Sequence, residues 1–236
     1  MTIKNLLKNL VSKSPLGLMI YTRKFIFGQK KIDYQNRFVK FNINFGSKVL
    51  DIGSGGEPFP EANFLIDRYP GKTQHRYNKL ITNNLPFTQG SVEQLPYKNK
   101  TFDFVYCAHV LEHVDNPSHA LNEIQRIGKR GYIEVPTKMS DIVFNFAKLK
   151  HFHKWHISVV GNTLIFIEYI ENERRDTGSQ ELFYIAHSLL PNSIKSMYRN
   201  NKDLFTNMFL WNRSFFFYIF DKNGNLISTN SIMRSR

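Results

Sequence analysis

The chain has 236 residues and a formal net charge of +13 at pH 7, with 42% hydrophobic and 22% charged residues. That length suits one α/β core with additions, and the charge implies attraction to something anionic: nucleic acid, an anionic membrane surface or an acidic glycan. The basic residues are scattered and mostly lysine, which speaks against a dedicated nucleic-acid module; the lone Cys107 excludes an intrachain disulfide and favours a cytoplasmic compartment, and no apolar stretch approaches the roughly 18 residues of a membrane span.

Ile3, Leu6, Leu7, Leu10 and Val11 fall at helical spacing, with Lys4, Lys8 and Lys13 on the other arc. This basic amphipathic helix either docks onto the core or rests against the inner face of a membrane. Residues 1–44 read as an N-terminal helical extension, 45–170 as a nucleotide-cofactor fold and 171–236 as a C-terminal extension packed on it. Lys48–Gly56 reads as a buried strand running into a glycine turn: Val49, Leu50 and Ile52 are the apolar run, Asp51 lies at its carboxyl end, and Gly53, Ser54 and Gly55 follow.

Pro58 and Pro60 prevent a regular helix from starting at those glycines, so the turn makes a poor pyrophosphate site. Glu57 suits a cationic group such as a sulfonium or an ammonium, and S-adenosylmethionine carries both. Phe64-Leu65-Ile66 forms the second strand. It ends in Asp67 and Arg68, where an acid can accept hydrogen bonds from both ribose hydroxyls. Only 14 positions separate Asp67 from Gly53, fewer than the roughly 20 of a dinucleotide fingerprint.

Leu95-Pro96-Tyr97, Phe102–Ala108 and His109–Val114 follow, with Cys107 a core residue of the fourth strand. Asn116 as N-cap, Pro117 at the first position, an apolar face at Ala120, Leu121, Ile124 and Ile127, and Gly128 beyond predict a helix. Gly131–Pro136 supplies the fifth strand, and a further helix is expected over 140–150. Trp155–Val160 and Thr163–Tyr169 flank Gly161-Asn162, a pattern that predicts an antiparallel hairpin closing the sheet. Gln180–Leu190 reads as helix. Phe215–Phe220 reads as a strand turning at Asn223-Gly224, its aromatic run serving as extra core.

The glycine turn, the distal acid, Leu-Pro-aromatic, Phe-Asp-x-Val and Val-Leu-Glu-His-Val, in that order, resemble a class I S-adenosylmethionine-dependent methyltransferase of the type 11-like group. His153-Lys154-Trp155 resembles a signature of a bacterial subgroup. The resemblance covers 45–169. It implies a doubly wound, mostly parallel seven-stranded α/β sheet with N-terminal helical and C-terminal α+β extensions. It also places Asp51, Gly53, Ser54 and Gly55 at the methionine and ribose, Asp67 with Arg68 at the ribose, Ser91 and Val92 beside adenine, and Ala108 and His109 at the methionine end. Ser91 stands where the family usually has an acid, so the adenine amino group would bond a hydroxyl, a backbone carbonyl or Glu93.

Methyl transfer needs alignment and a site that keeps water out; a base is required only for a hydroxyl or a protonated amine. The candidates are His109, His113, His153 and Glu134. His109, Glu112 and His113 also spell H-x-x-E-H, a zinc pattern on a helix, but the segment follows a buried strand and no distant third ligand stands out. His151, His153 and His156 could be drawn as another metal site; zinc prefers cysteine partners in structural sites and none is to spare, so no metal is expected. The expected acceptor is a small molecule or a glycan-linked group. The alternatives are a nucleic-acid methyltransferase, for which no N-P-P-Y-like tetrapeptide follows the fourth strand, and a non-catalytic relative at a membrane surface.

Overall fold

The computed structural model describes residues 31–71, 79–143, 153–170 and 193–231. Strands β1 (Val49–Ile52), β2 (Phe64–Asp67), β3 (Phe87–Gln89), β4 (Phe104–Ala108) and β5 (Arg130–Pro136) pair in parallel in the order β3-β2-β1-β4-β5. β4 is buried along its whole length, as a strand covered on both faces must be. Because side chains alternate, one face presents Leu50, Ile52, Val105, Cys107, Ile133 and Val135, and the other Val49, Leu65, Phe104, Tyr106 and Tyr132.

Helix α1 (Lys31–Phe38) and the segment after it add Val39 and Phe41 to the second face. There Phe41 meets the rings of Phe59, Phe104, Tyr106 and Tyr132. Helix α2 (Pro117–Ile127) covers the first face through Ala120, Leu121, Ile124 and Ile127. Its predicted ends hold: the Asn116 side chain accepts from the His119 amide at 3.1 Å, and the Gly128 amide donates to the Ile124 carbonyl at 3.1 Å. The result is a doubly wound, mostly parallel α/β sheet.

The far edge differs from expectation. The hairpin of β6 (Trp155–Val160) and β7 (Thr163–Glu168) forms at Gly161-Asn162 but does not close the main sheet. β7 instead pairs in parallel with β9 (Phe216–Phe220), and β10 (Leu226–Thr229) completes a separate sheet in the order β10-β9-β7-β6. The main sheet therefore has six described strands rather than seven. Its antiparallel edge is β8 (Thr206–Asn212), paired with all of β5 from Arg130↔Asn212 to Pro136↔Thr206.

Close packing explains the choice. Trp211 of β8 lies over Gly131, where a Cβ would meet its ring at 3.0 Å and the Val105 carbonyl oxygen at 2.2 Å. A bulky ring and a bare backbone fill one space. The alternation of β9 buries Phe217 and Ile219 and leaves Phe216 exposed, so the aromatic run is core on one face only. Helix α3 (Lys138–Val143) follows β5, and helices α4 (Ser193–Asn200) and α5 (Lys202–Phe205) lead into β8. The amphipathic stretch at 3–13, most of the helix expected over 140–150, and the one over 180–190 lie outside the described residues. Among the described residues no helix is long and apolar enough to cross a membrane.

Candidate functional site

The strand order reverses between β1 and β4, and in such sheets ligands occupy the crevice beyond the carboxyl ends of the strands. A cleft of about 480 Å³ opens there, within the range of small-molecule sites. Its floor is the glycine turn. Gly53 has φ +71°, a left-handed conformation, and a Cβ there would lie 2.3 Å from Val110 Cγ2. Gly55 has φ +55°. No helix begins between Gly53 and Asn63, in line with the proline argument.

Most of the expected cofactor residues meet in this cleft: Gly53, Ser54, Gly55, Asp67, Arg68, Ser91, Val92, Ala108 and His109 all line it. Asp67 closes the end of β2 and accepts from the Gly55 amide at 3.1 Å and the Tyr69 amide at 2.8 Å. Ser54 Oγ is buried and makes no hydrogen bond. A buried hydroxyl of this kind, in the wall of a cleft, is a donor prepared for a ligand.

Asp51 stands apart from them. It does not line the cleft; its side chain is buried below the turn and accepts from the Phe59 amide at 2.8 Å. Burial pushes its carboxyl up to about 7, against the opposing effects of Lys31 and that amide. Glu93 is engaged too, accepting from the Asp115 and Asn116 amides at 2.6 and 2.9 Å, so it acts as a clamp on the turn before α2.

The four candidate catalytic side chains separate. His109 and His113 reach the cleft; Glu134 and His153 do not. Glu134 is wholly buried, accepting from the hydroxyls of Tyr34 and Tyr132 and from Gln35 Nε2 at 2.6 Å. His109 holds a left-handed φ of +57° at the end of β4, a sparsely populated conformation for a side chain of this size. Its Nε2 lies 3.0 Å from Glu134 Oε1 and its Nδ1 3.4 Å from Glu112 Oε1. Burial alone would lower its pKa, but pairing with Glu112 and Glu134 outweighs that and pushes it up to about 9.

The His153-Lys154-Trp155 segment grips the turn that follows β4. The Lys154 amide donates to the Glu112 carbonyl at 2.8 Å, Lys154 Nζ pairs with Asp115, and Trp155 Nε1 donates to the Val114 carbonyl at 2.8 Å. Lys154 thereby becomes a cleft residue, as does Lys31 of α1, whose amide donates to Glu57 Oε1 at 2.9 Å. Sequence reasoning missed Lys31. Lys31 lies in a segment with no motif, and Lys154 comes to the cleft only through its neighbours' bonds to residues 112–115.

Residues 50–135 match the methyltransferase domain family over the span that builds this cleft. That family comprises methyltransferase domains, and the match stops at the end of β5. Similar curated proteins include a 2-methyl-6-phytyl-1,4-hydroquinone methyltransferase of Oryza sativa, 29% identical over 96 residues covering 36% of this chain and 29% of that protein. A ubiquinone biosynthesis O-methyltransferase of Schizosaccharomyces pombe is 32% identical over 107 residues, covering 39% and 38%. The chain thus spans about a third of the length of these relatives. Among solved structures, a complex of the Haloferax volcanii Trm112 methyltransferase activator with a methyltransferase aligns with TM-score 0.49 at 14% identity, over 77% of this chain and 88% of that one. The glycine turn, Asp67 and Ser91 all fall inside the matched span; Lys154 and His153 fall outside it.

Proposed function

We propose that the chain transfers a methyl group from S-adenosylmethionine to a small-molecule or glycan-linked acceptor. The observation that carries this reading is one cleft uniting a helix-free glycine turn, an acid at the tip of β2 and an unbonded buried hydroxyl at Ser54. A pyrophosphate would look for a helix N-terminus at the glycines and meet Glu57 instead; an adenosyl sulfonium would meet an acceptor for its ribose and a negative charge for its cationic end. Asp67 would take the ribose hydroxyls, Val92 and Ile66 would flank the adenine, and Ala108 with Val110 would border the methionine. Bound there, the cofactor supplies an activated methyl whose leaving group is a neutral thioether.

The chain's own residues then align the acceptor and exclude water. His109 is not the base in this reading, because each of its ring nitrogens faces a carboxylate; it is a positioning residue that fixes the corner between β4 and the following turn. His113 is the imidazole that remains at the cleft wall. The mix of Arg68, Lys154, Glu57 and Asp115 around the rim suits a polar acceptor. The H-K-W resemblance supports a reading of the chain as one of the bacterial subgroup, and the positive charge and lysine-rich composition favour an acceptor bearing anionic groups.

The test is transfer of radiolabelled methyl from the cofactor into extract separated into nucleic acid, lipid, glycan and small-molecule fractions. Label in the glycan or small-molecule fraction supports the reading. Label confined to nucleic acid replaces the acceptor class, and binding without any transfer points to the non-catalytic relative.

A further inference from the structure

Two patterns that the sequence offers separately, H-x-x-E-H and the histidines around Lys154, meet in one cluster, the first giving two of its members and the second one. Glu112 and His113 end the 3-10 turn Leu111–His113, and His153 lies just before β6; their ligand atoms all fall within 4.8 Å of one another. We propose that Glu112, His113 and His153 form a binding site for one divalent transition-metal ion, zinc by its donor set, in the wall of the cleft.

Three observations support the site. First, Glu112 is 1% exposed, yet neither carboxylate oxygen accepts a hydrogen bond of ordinary geometry; the nearest nitrogens are His109 Nδ1 at 3.4 Å and His113 Nε2 at 3.9 Å. His109 answers part of that charge from 3.4 Å, and neither oxygen carries a hydrogen bond that a metal ion would have to displace. Second, His153 is already oriented. Its Nδ1 lies 2.6 Å from Asp141 Oδ1, and Asp141 in turn accepts from the Tyr169 hydroxyl, a carboxylate–histidine arrangement that fixes the ring. Third, the rings of His113 and His153 meet edge to face at 4.8 Å, so the two imidazoles approach the carboxylate from different elements.

Two histidines and one glutamate are the ligand set of zinc centres that keep a position open. A tetrahedral zinc site needs donor separations of about 3.4 Å, so small side-chain rotations close the cluster. Of the three, His113 lines the cleft, so the site borders it. The role of the ion rests on the cleft holding an acceptor; its binding does not.

The experiment uses the full-length chain without a histidine tag, stripped with chelator and titrated with Zn²⁺ by calorimetry and with Co²⁺ by visible absorption. The expected result is one equivalent bound at micromolar affinity or tighter, with cobalt d–d bands of a four-coordinate site. Glu112→Gln and His153→Gln each weaken binding by 100-fold or more, Asp141→Asn weakens it by about 10- to 100-fold, and exposed His119→Gln leaves it unchanged. Circular dichroism and cofactor binding, measured on the same samples, separate lost metal from lost fold; if Glu112→Gln does not fold, His113→Gln carries the same test. Less than a tenth of an equivalent bound means that protonated histidines balance Glu112, and the proposal falls. Equal affinity in all variants means the ion sits elsewhere, and it falls equally. Cofactor binding without zinc, or zinc without cofactor, tells the failure of one reading from the failure of the other.

Discussion

Asp67 and Asp51 end adjacent strands, yet burial gives them different work. Asp67 faces the cleft, and loss of a charged acceptor there costs about 1.5–3 kcal/mol, so Asp67→Asn should weaken S-adenosylmethionine binding roughly 10- to 100-fold in calorimetry with the fold unchanged. Asp51 faces the core, where its folded pKa of about 7 stands above the ordinary 3.8. A carboxyl raised in this way holds its proton longer in the folded state, so stability from it is full below about pH 4 and is lost as the pH rises toward 7. Asp51→Asn keeps an acceptor for the Phe59 amide and removes the titration. Thermal melts should show the variant matching the parent near pH 4 and gaining on it up to pH 7, with a constant advantage beyond; parallel melts at every pH would contradict the burial argument.

At the scale of elements, the elements are tied by buried polar bonds as much as by apolar contact. Tyr34 of α1 reaches Glu134 of β5 across a hundred positions of sequence, and Gln35 bonds both Glu134 and Tyr106. Tyr34→Phe leaves a buried carboxylate one donor short and should cost about 1–3 kcal/mol in denaturant unfolding, whereas an exposed α1 change such as Arg37→Ala should cost little. Gly131→Ala forces a methyl against the Val105 carbonyl and the Trp211 ring; a loss of about 1–3 kcal/mol is expected, and a neutral result would mean that β8 does not pack on β5 as described.

For the molecule as a whole, the parts legible in sequence were those with local rules. Val49–Ile52 before Gly53, Asn116-Pro117 opening a helix and Gly161-Asn162 turning a hairpin each declare themselves within a few residues. Long-range choices did not. Nothing near Thr206–Asn212 says that it, rather than β6 and β7, borders β5; that follows from Trp211 fitting Gly131 some eighty positions away. Asp51 reads as a strand-tip ligand until the strand's alternation sends it toward Phe59, and His153 reads as a candidate base until Asp141 is beside it. The residues proposed for the cofactor on the tips of β1, β2 and β4 were accessible because topology fixes where such tips meet. The central claim is that this meeting point holds an adenosyl sulfonium. Titration of the full chain with S-adenosylmethionine and, separately, with NAD tests it most directly: one equivalent of the former binding in the micromolar range, sharply weakened by Asp67→Ala, with no heat from the latter, is the predicted result. Binding of NAD, or S-adenosylmethionine binding indifferent to Asp67, would contradict it.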